Sequence, residues 1–405
     1  MLKIKNLMAI GLAAVLSMST GQALAQKTYN VASLGDYSGP FASIYPPVED
    51  ARRAVIEWWN KEVGAKSQVT LKMKTYDTRY DVAQTASLWP GIKSELQPIA
   101  ILGLGGSDFA ALQTRLPDDK IPLTAANGAY GFAWKADPWA FLSRPTYAHE
   151  TGAFVNWMSE RLNRPVKFVT VSSEASAGFA DMAKGIQTYA RENPTKAQLI
   201  ETVFTDLQPS DLTLQMRRVT AANPDVIVVL GTMGQVIATK RALQTLGKKI
   251  PVLVSSHNGL ATLGPVLGGM AAVEGDYEAH ATALATAEAS DAHAFYEMLQ
   301  KNYGLKAAWN GFTIMGLAQT VYTVRAIERA QQKAGNAAIT GADVRAALLA
   351  GPFRSSDLFG LAPDLEFTSQ APFPTTSAKV NIGTVKDGKF VSVAQGVPVP
   401  TVSKW

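Results

Sequence analysis

Cysteine is absent from all 405 residues. That excludes a disulfide framework, a thiolate nucleophile, a Cys-ligated metal centre and the lipid-bearing cysteine of a lipoprotein. The glycines at Gly103, Gly105 and Gly106 do not fit GxGxxG, no acidic ribose reader follows them, and no GxxxxGK[ST] loop occurs, so neither a dinucleotide nor a nucleotide phosphate is called for. The GxSxG elbow of serine hydrolases is missing as well. Lys and Arg never run beyond pairs such as Arg52-Arg53 and Lys248-Lys249, which excludes a basic tract for nucleic acid. No window beyond the N-terminus approaches the roughly 20 apolar residues of a membrane span.

What is present is a globular composition, 47% hydrophobic and 18% charged, in a chain long enough for two lobes. Residues 1–25 read as a cleavable export signal: Lys3 and Lys5, an apolar core from Leu7 to Met18, and Ala23-Leu24-Ala25 before Gln26. The alternative is an N-terminal anchor, for which the apolar core is short. The formal charge of +5 falls by two when Lys3 and Lys5 are removed. A released periplasmic protein without a lipid anchor is the expectation.

The stretch Pro98–Ala110 organises the chain: an apolar run, Ile99–Leu102, stops at Gly103, and a small-residue turn opens a helix at Ser107. The same grammar returns at Pro224–Gln235, with an apolar strand Val226–Leu230, then Gly231 and Thr232. Around these, strands and helices alternate from Tyr29 to Ser255, which predicts parallel sheets covered on both faces, an α/β fold. Pro90-Gly91 is expected to distort a helix over 81–95. After Ala350 the tail turns to strands, with Asp387-Gly388 as a hairpin turn, and packs on the edge of one lobe.

Ligands of such folds sit beyond the C-terminal ends of strands. The N–H groups around Gly105 to Asp108, with Ser107, would favour an anion there, although Ser107 also reads as an ordinary helix cap. Asn127, Gly128, Thr232, His257 and Asn258 follow other strand ends, and Tyr37, Phe41, Tyr45, Trp134, Trp139 and Tyr277 supply aromatic surface near the expected cleft. Glu278, His280, Asp291 and His293 were weighed as a metal set and set aside, because residues two apart do not share a helix face. Ser107 with His257 and an acid is the one arrangement open to a hydrolase.

Gly35-Asp-Tyr-Ser-Gly-Pro40, Tyr76-Asp77, Gly105-Gly-Ser107, Ile121-Pro-Leu-Thr124 and Asn223-Pro-Asp225 to Gly231, in this order and behind a signal, resemble the periplasmic branched-chain amino acid binding proteins of ABC importers. The resemblance implies a type I periplasmic binding fold: two Rossmann-like lobes joined by three crossover strands, closing on a ligand. On that pattern lobe 1 is 27–147 plus 277–352, lobe 2 is 148–276 plus 353–405, and the hinges lie near 145, 276 and 352. It implies a monomer that works with permease and ATPase subunits of an importer, without cofactor or catalysis; a periplasmic sensor of the same fold is the alternative. The family's carboxylate-binding serine matches Ser107, with Asp108 beside it, but its partner threonine falls at Gly128. Its acidic residue for the ligand amine falls at Asn258, or at His257 if the loop slips by one, and its aromatic before glycine falls at Ala177-Gly178. These departures point to a carboxylate or amide without an α-amino group, with aromatic character.

Overall fold

The computed structural model describes residues 26–127, 130–286, 288–374 and 378–405. The expected export signal, 1–25, and Gly128 lie outside the described residues. Strands rich in β-branched residues assemble two sheets. The first holds β1 (Lys27–Gly35), β2 (Val69–Asp77), β3 (Ala100–Gly103), β4 (Leu123–Ala125) and β5 (Ala140–Leu142) in the order β2-β1-β3-β4-β5, all parallel. The second holds β6 (Val166–Ser172), β7 (Ala197–Phe204), β8 (Val226–Val229), β9 (Val252–Val254), β10 (Tyr277–His280), β11 (Lys379–Lys386) and β12 (Lys389–Pro398). Its order is β12-β11-β10-β9-β8-β6-β7, parallel up to β10 and antiparallel at β11 and β12. β8 is buried along its whole length, as its Val-Ile-Val-Val sequence predicts for a strand covered on both faces. Asp387 and Gly388, both at positive φ, turn β11 into β12.

Each sheet is packed between two apolar layers. On the first sheet the main layer comes from the helices Tyr45–Trp59, Asp291–Tyr303 and Gly311–Ala334. The Gly311–Ala334 helix is capped by Asn310, whose Oδ1 accepts from the N–H groups of Phe312 and Thr313, and it ends at Gly335 with φ 59°. The helix around Pro90 is not broken: it runs continuously over Val82–Leu96. Pro90 cannot donate to the carbonyl of Ala86, and Arg115 Nη1 donates to that oxygen instead at 3.2 Å.

Two lobe boundaries differ from those drawn on the sequence. Tyr277–His280 does not join the first lobe; it is strand β10, paired with β9 and β11 of the second sheet. The segment from Phe353 to Phe373 does not join the second lobe; Phe353, Leu358, Leu361 and Phe367 pack in the main core of the first sheet, and Phe373 on its other face. Sheet membership is decided by hydrogen bonding between residues far apart in sequence, which local patterns do not carry. Among the described residues the chain therefore passes to the second sheet at 143–146, returns to the first after His280, and reaches the second again after Phe373. Leu365–Thr368 makes only isolated bridges, Leu365 to Phe353 and Thr368 to Ala371.

Beneath the strand ends lies a fully buried guanidinium, Arg52. It donates to Ser33 Oγ and Leu34 O at the end of β1, to Gly103 O of β3 at 2.7 Å, and to Gln319 Oε1 of the long helix. Gln319 Nε2 in turn donates to Gly103 O and Thr124 O. These two side chains donate to carbonyls at the ends of β1, β3 and β4. Arg52→Met removes the bonds donated to Ser33, Leu34, Gly103 and Gln319, and the one donated to Tyr45 Oη, while keeping the apolar stem, and is expected to lower the unfolding free energy by about 3 kcal/mol in a urea titration. A change below about 0.5 kcal/mol would mean that the freed carbonyls find other donors.

Candidate functional site

The C-terminal ends of the first sheet's strands face those of the second, and between them lies a cavity of about 30 Å³, room for one or two waters. From the first lobe it is lined by Phe41 after β1, Tyr80 after β2, Leu104 after β3 and Asn127 after β4. Ile44, Val48, Phe312 and Met315 form its floor at the starts of two helices. Tyr130, Phe179 and His257 complete the wall against the second lobe. None of these side chains is a carboxylate, an ammonium or a guanidinium. Phe41 and Tyr80 meet edge to face at 4.7 Å between ring centres.

The turn after β3 is closed from within. Asp108, wholly buried, accepts from the N–H groups of Leu104 (2.6 Å) and Gly105 (3.2 Å) through Oδ2. The Gly106 N–H donates to Tyr80 Oη at 2.9 Å. Burial pushes the Asp108 carboxyl up to about 6 against the pull of those two N–H groups, so it is charged at pH 7. Its Oδ1 has no hydrogen-bond partner. Ser107 sits half-buried on the first turn of the Gly106–Leu112 helix and is not part of the cavity wall.

Several residues proposed from the sequence serve the structure of their own loops. Asn258 is fully buried, donating to Val229 O (3.0 Å) and Gly231 O (2.9 Å) and accepting from Ser255 N–H (2.8 Å). Thr232 caps the Met233–Thr245 helix by accepting from Gln235 N–H, and its hydroxyl donates to Leu207 O. Tyr277 packs on Phe154 and Trp157 in the second core. Tyr45 is buried behind the cavity with its hydroxyl on Glu49, and Tyr37 is half exposed, edge-on to Tyr45. Phe41, Asn127 and His257 are the proposed residues that reach the cavity wall. Of the four residues weighed for a metal, Glu278 bonds to His280 at 2.8 Å and to the N–H of Leu260, while Asp291 and His293 sit on another helix, His293 against Trp309.

The Ser107–His257 pair does not assemble as nucleophile and base. His257 Nε2 faces the carbonyls of Leu230 and Gly231, so it carries the proton, and Nδ1 lies 3.2 Å from Tyr147 Oη. Burial, reinforced by Arg144, pushes the imidazole down to about 4, leaving it neutral at pH 7.

Arg144, in the crossing after β5, links these loops. It is buried with Glu150 as a pair, donating through Nε at 2.9 Å and through Nη2. It also donates to Ser255 Oγ (3.0 Å), Ser256 Oγ (2.5 Å) and Asn127 Oδ1 (3.5 Å). Glu150 Oε1 accepts from the N–H of Ala281 in the second crossing, at 2.9 Å. Tyr147 completes the cluster with its hydroxyl on Asn127 Oδ1. A separate strap, Tyr130–Trp134, runs between β4 and β5; Tyr130 packs in the core of the second lobe, while Ala133 and Trp134 stay on the first. Gly131 N–H donates to Asp181 Oδ2 (2.7 Å), and the Trp405 indole donates to Asp181 Oδ1 (3.1 Å). A Cβ on Gly131 or Gly185 would fall within 2.5 Å of the Trp405 ring, so both glycines make its seat. The sequence reading missed Arg144, Tyr147, Tyr80, Tyr130, Phe179, Phe312 and Met315; only the Gly-rich neighbourhood of Tyr130 and Phe179 hinted at them. A groove of about 640 Å³ lies at the N-terminal ends of β9 and β10, beside Lys248–Pro251, and touches no strand C-terminus.

Two lobes of mainly parallel sheet, joined by three chain passages and facing each other across an apolar cavity, define a bilobal solute-binding protein of type I periplasmic architecture. The sequence matches the model of the periplasmic binding protein family over residues 28–389, and the chain belongs to that family. Solute binding is accordingly its role. Among solved structures it is similar to a branched-chain amino acid ABC transporter protein from Thermus thermophilus with bound valine, with 20% identity over 92% of this chain and 97% of that one and a TM-score of 0.78. It is also similar to a fatty acid ABC transporter substrate-binding protein from Thermomonospora curvata (19% identity, 92% and 95% covered, TM-score 0.74). A third is an ABC transporter solute-binding protein from Rhodopseudomonas palustris BisB5 in complex with 3,4-dihydroxybenzoic acid (17% identity, 92% and 98% covered, TM-score 0.72). No curated protein matches the sequence. Among the described residues no helix is long and apolar enough to cross a membrane.

Burial sets a pH dependence. His149 on the Tyr147–Leu162 helix, like His257, is pushed down to about 4 by burial, whereas the unfolded imidazole protonates near 6.5. Between those values the unfolded chain binds more protons, so stability present at pH 7 is lost as pH falls from 6.5 towards 4. Asp108 and Asp276, pushed up to about 6 by burial, act in the opposite sense, since there the folded chain binds more protons between pH 6 and 4. His149→Gln is therefore expected to lose about 2 kcal/mol less stability than the wild type between pH 7 and 4.5, measured by urea titration at each pH. Parallel pH curves for the two proteins would refute this assignment.

Proposed function

We propose that this chain is the exported solute receptor of an ABC-type importer, and that it holds a small aromatic or apolar solute without an α-ammonium group between its lobes. The observation that carries this is the cavity wall: rings from both lobes, with no carboxylate among the lining side chains; its space of about 30 Å³ is far too small for such a solute, so the wall must open to admit one. An ammonium group enclosed there would lack a counter-charge, at an effective cost of several kcal/mol. The solved relatives hold ligands as different as valine and 3,4-dihydroxybenzoic acid, so this architecture accommodates either chemistry.

On this reading Phe41 and His257 contact the solute from opposite lobes and Asn127 supplies a polar contact, with Ser107 at the margin. Contacts made to both lobes only when they are closed would shift the protein towards the closed state. The receptor would then be read by permease and ATPase subunits. A catalytic role is disfavoured by His257, whose Nε2–H is held by main-chain carbonyls and whose imidazole does not accept a serine proton at neutral pH.

A thermal-shift screen with leucine, valine, benzoate, benzamide, isobutyrate and isobutyramide tests the reading, followed by calorimetric titration of the hits. A ligand at one hundred times its Kd adds about 2.7 kcal/mol to the folded state and raises Tm visibly. At least one compound without an α-amino group is expected to stabilise, while leucine and valine do not. Strong stabilisation by leucine or valine alone would sink it.

A further inference from the structure

The polar surface around the cavity determines what charge a solute can carry there. A helix start with open N–H groups attracts a carboxylate. The helix Gly106–Leu112 does not present one, because Asp108 Oδ2 takes the N–H groups of Leu104 and Gly105 and Tyr80 Oη takes that of Gly106. Across the cleft, Gly178 is the second residue of the helix Ala177–Glu192, and a Cβ there would fall 2.8 Å from the Tyr130 ring. A Cβ on Gly106 would fall 2.7 Å from the same ring. Tyr130 is thus sandwiched between the two helix starts, and two glycines make room for it.

Charge points the same way. No lysine or arginine lines the cavity, and the Arg144 guanidinium near Asn127 is committed to Glu150, Ser255 and Ser256. The buried Asp108 carboxylate lies directly behind the turn, with Oδ1 unpartnered. A ligand carboxylate on that side would meet a like charge in a dry setting, with no counter-ion.

Tyr80 keeps a donor for the cavity. Its Oη accepts from Gly106 N–H, so its own proton is left to donate, and the ring lines the cavity. The ring is carried there by two consecutive left-handed residues, Arg79 (φ 54°) and Tyr80 (φ 52°). The loop is held by Asp77, which accepts from the N–H groups of Arg79 and Tyr37. Such backbone persists only where surrounding contacts enforce it.

We propose that the interlobe site takes an uncharged solute with an aromatic or branched apolar body and one acceptor oxygen, of the carboxamide, ketone or ether class, bonded by the Tyr80 hydroxyl, and that it rejects free carboxylates. This rests on the reading of that cavity as the solute site. Tyr80 is its specificity-determining residue.

The test compares isosteric pairs on the wild-type chain by calorimetry at pH 7.5 and low salt: benzamide with benzoate, isobutyramide with isobutyrate, and leucine as the zwitterion. The neutral member of at least one pair is expected to bind at least tenfold more tightly than its carboxylate. Tyr80→Phe is expected to weaken that neutral ligand threefold to tenfold, the loss of one neutral hydrogen bond; because Gly106 N–H also loses its acceptor, the ligand-free Tm is expected to fall, and affinities are compared at a temperature where both proteins are folded. Tighter binding of a carboxylate overturns this proposal and leaves the solute-receptor reading standing. Tight binding of leucine alone overturns both. Failure of every neutral member to bind, or an unchanged affinity in Tyr80→Phe, also overturns the assignment.

Discussion

A guanidinium taken out of water must find partners for its donors, and Arg144 finds them on three segments that meet between the lobes. Its carboxylate partner sits on the first helix of the second lobe, its serine partners follow β9, and Asn127 follows β4 of the other sheet. Through Glu150 it also reaches the backbone of the second crossing at Ala281. The loop ends that carry Asn127 and His257 are therefore positioned by one ionic cluster. Loss of either charge would leave the other buried and uncompensated, so the junction holds its geometry as a unit. A closing motion built on this junction has to rotate around the cluster.

Glycine accounts for the second level of organisation, in a way its local sequence does not announce. Gly105-Gly106 reads as an anion-binding turn, and Gly178 as a helix start stripped of an aromatic. In the folded chain Gly106 and Gly178 flank Tyr130, and Gly131 and Gly185 flank Trp405. Four glycines separated by tens of residues thus make two aromatic seats, each joining the strap of the first lobe to the second. The aromatic surface missing at Ala177 is present after all, delivered from the opposite lobe. Asp181 fastens both seats by accepting from Gly131 N–H and the Trp405 indole.

Much of the fold was legible because its signals are local. Periodicity, β-branched runs such as Val226–Val229 and the Asp387-Gly388 turn located most strands and helices. The assignment of Tyr277–His280 and of the segment from Phe353 to Phe373 was not legible, since each depends on which distant surface it pairs with. The site divides the same way. Phe41, Asn127 and His257 were found because they follow strand ends directly. Tyr80 and Tyr130 were not, because a backbone turn with positive φ and glycines elsewhere in the chain aim those rings. Asp108 and Thr232 were over-read for a general reason: a short polar side chain beside a turn most readily satisfies that turn's own N–H groups.

The choice between His257 and Asn258 shows how much one residue of loop geometry decides. Both follow β9, and the family pattern puts an amine-binding acid at this place. The short 3₁₀ turn Ser256–Asn258 rotates the asparagine inward, where its amide joins Val229, Gly231 and Ser255. The same turn sends the histidine ring to the cavity, with its Nε2 proton tied to the backbone. The family's charged contact is thereby replaced by a neutral imidazole, held neutral by burial and by the nearby Arg144 charge. Facing it, Asp108 is spent on its own loop and Tyr80 keeps a proton to donate. Charge has thus been withdrawn from both walls by the same means, the use of polar side chains on adjacent backbone, and what faces the cavity is mostly rings.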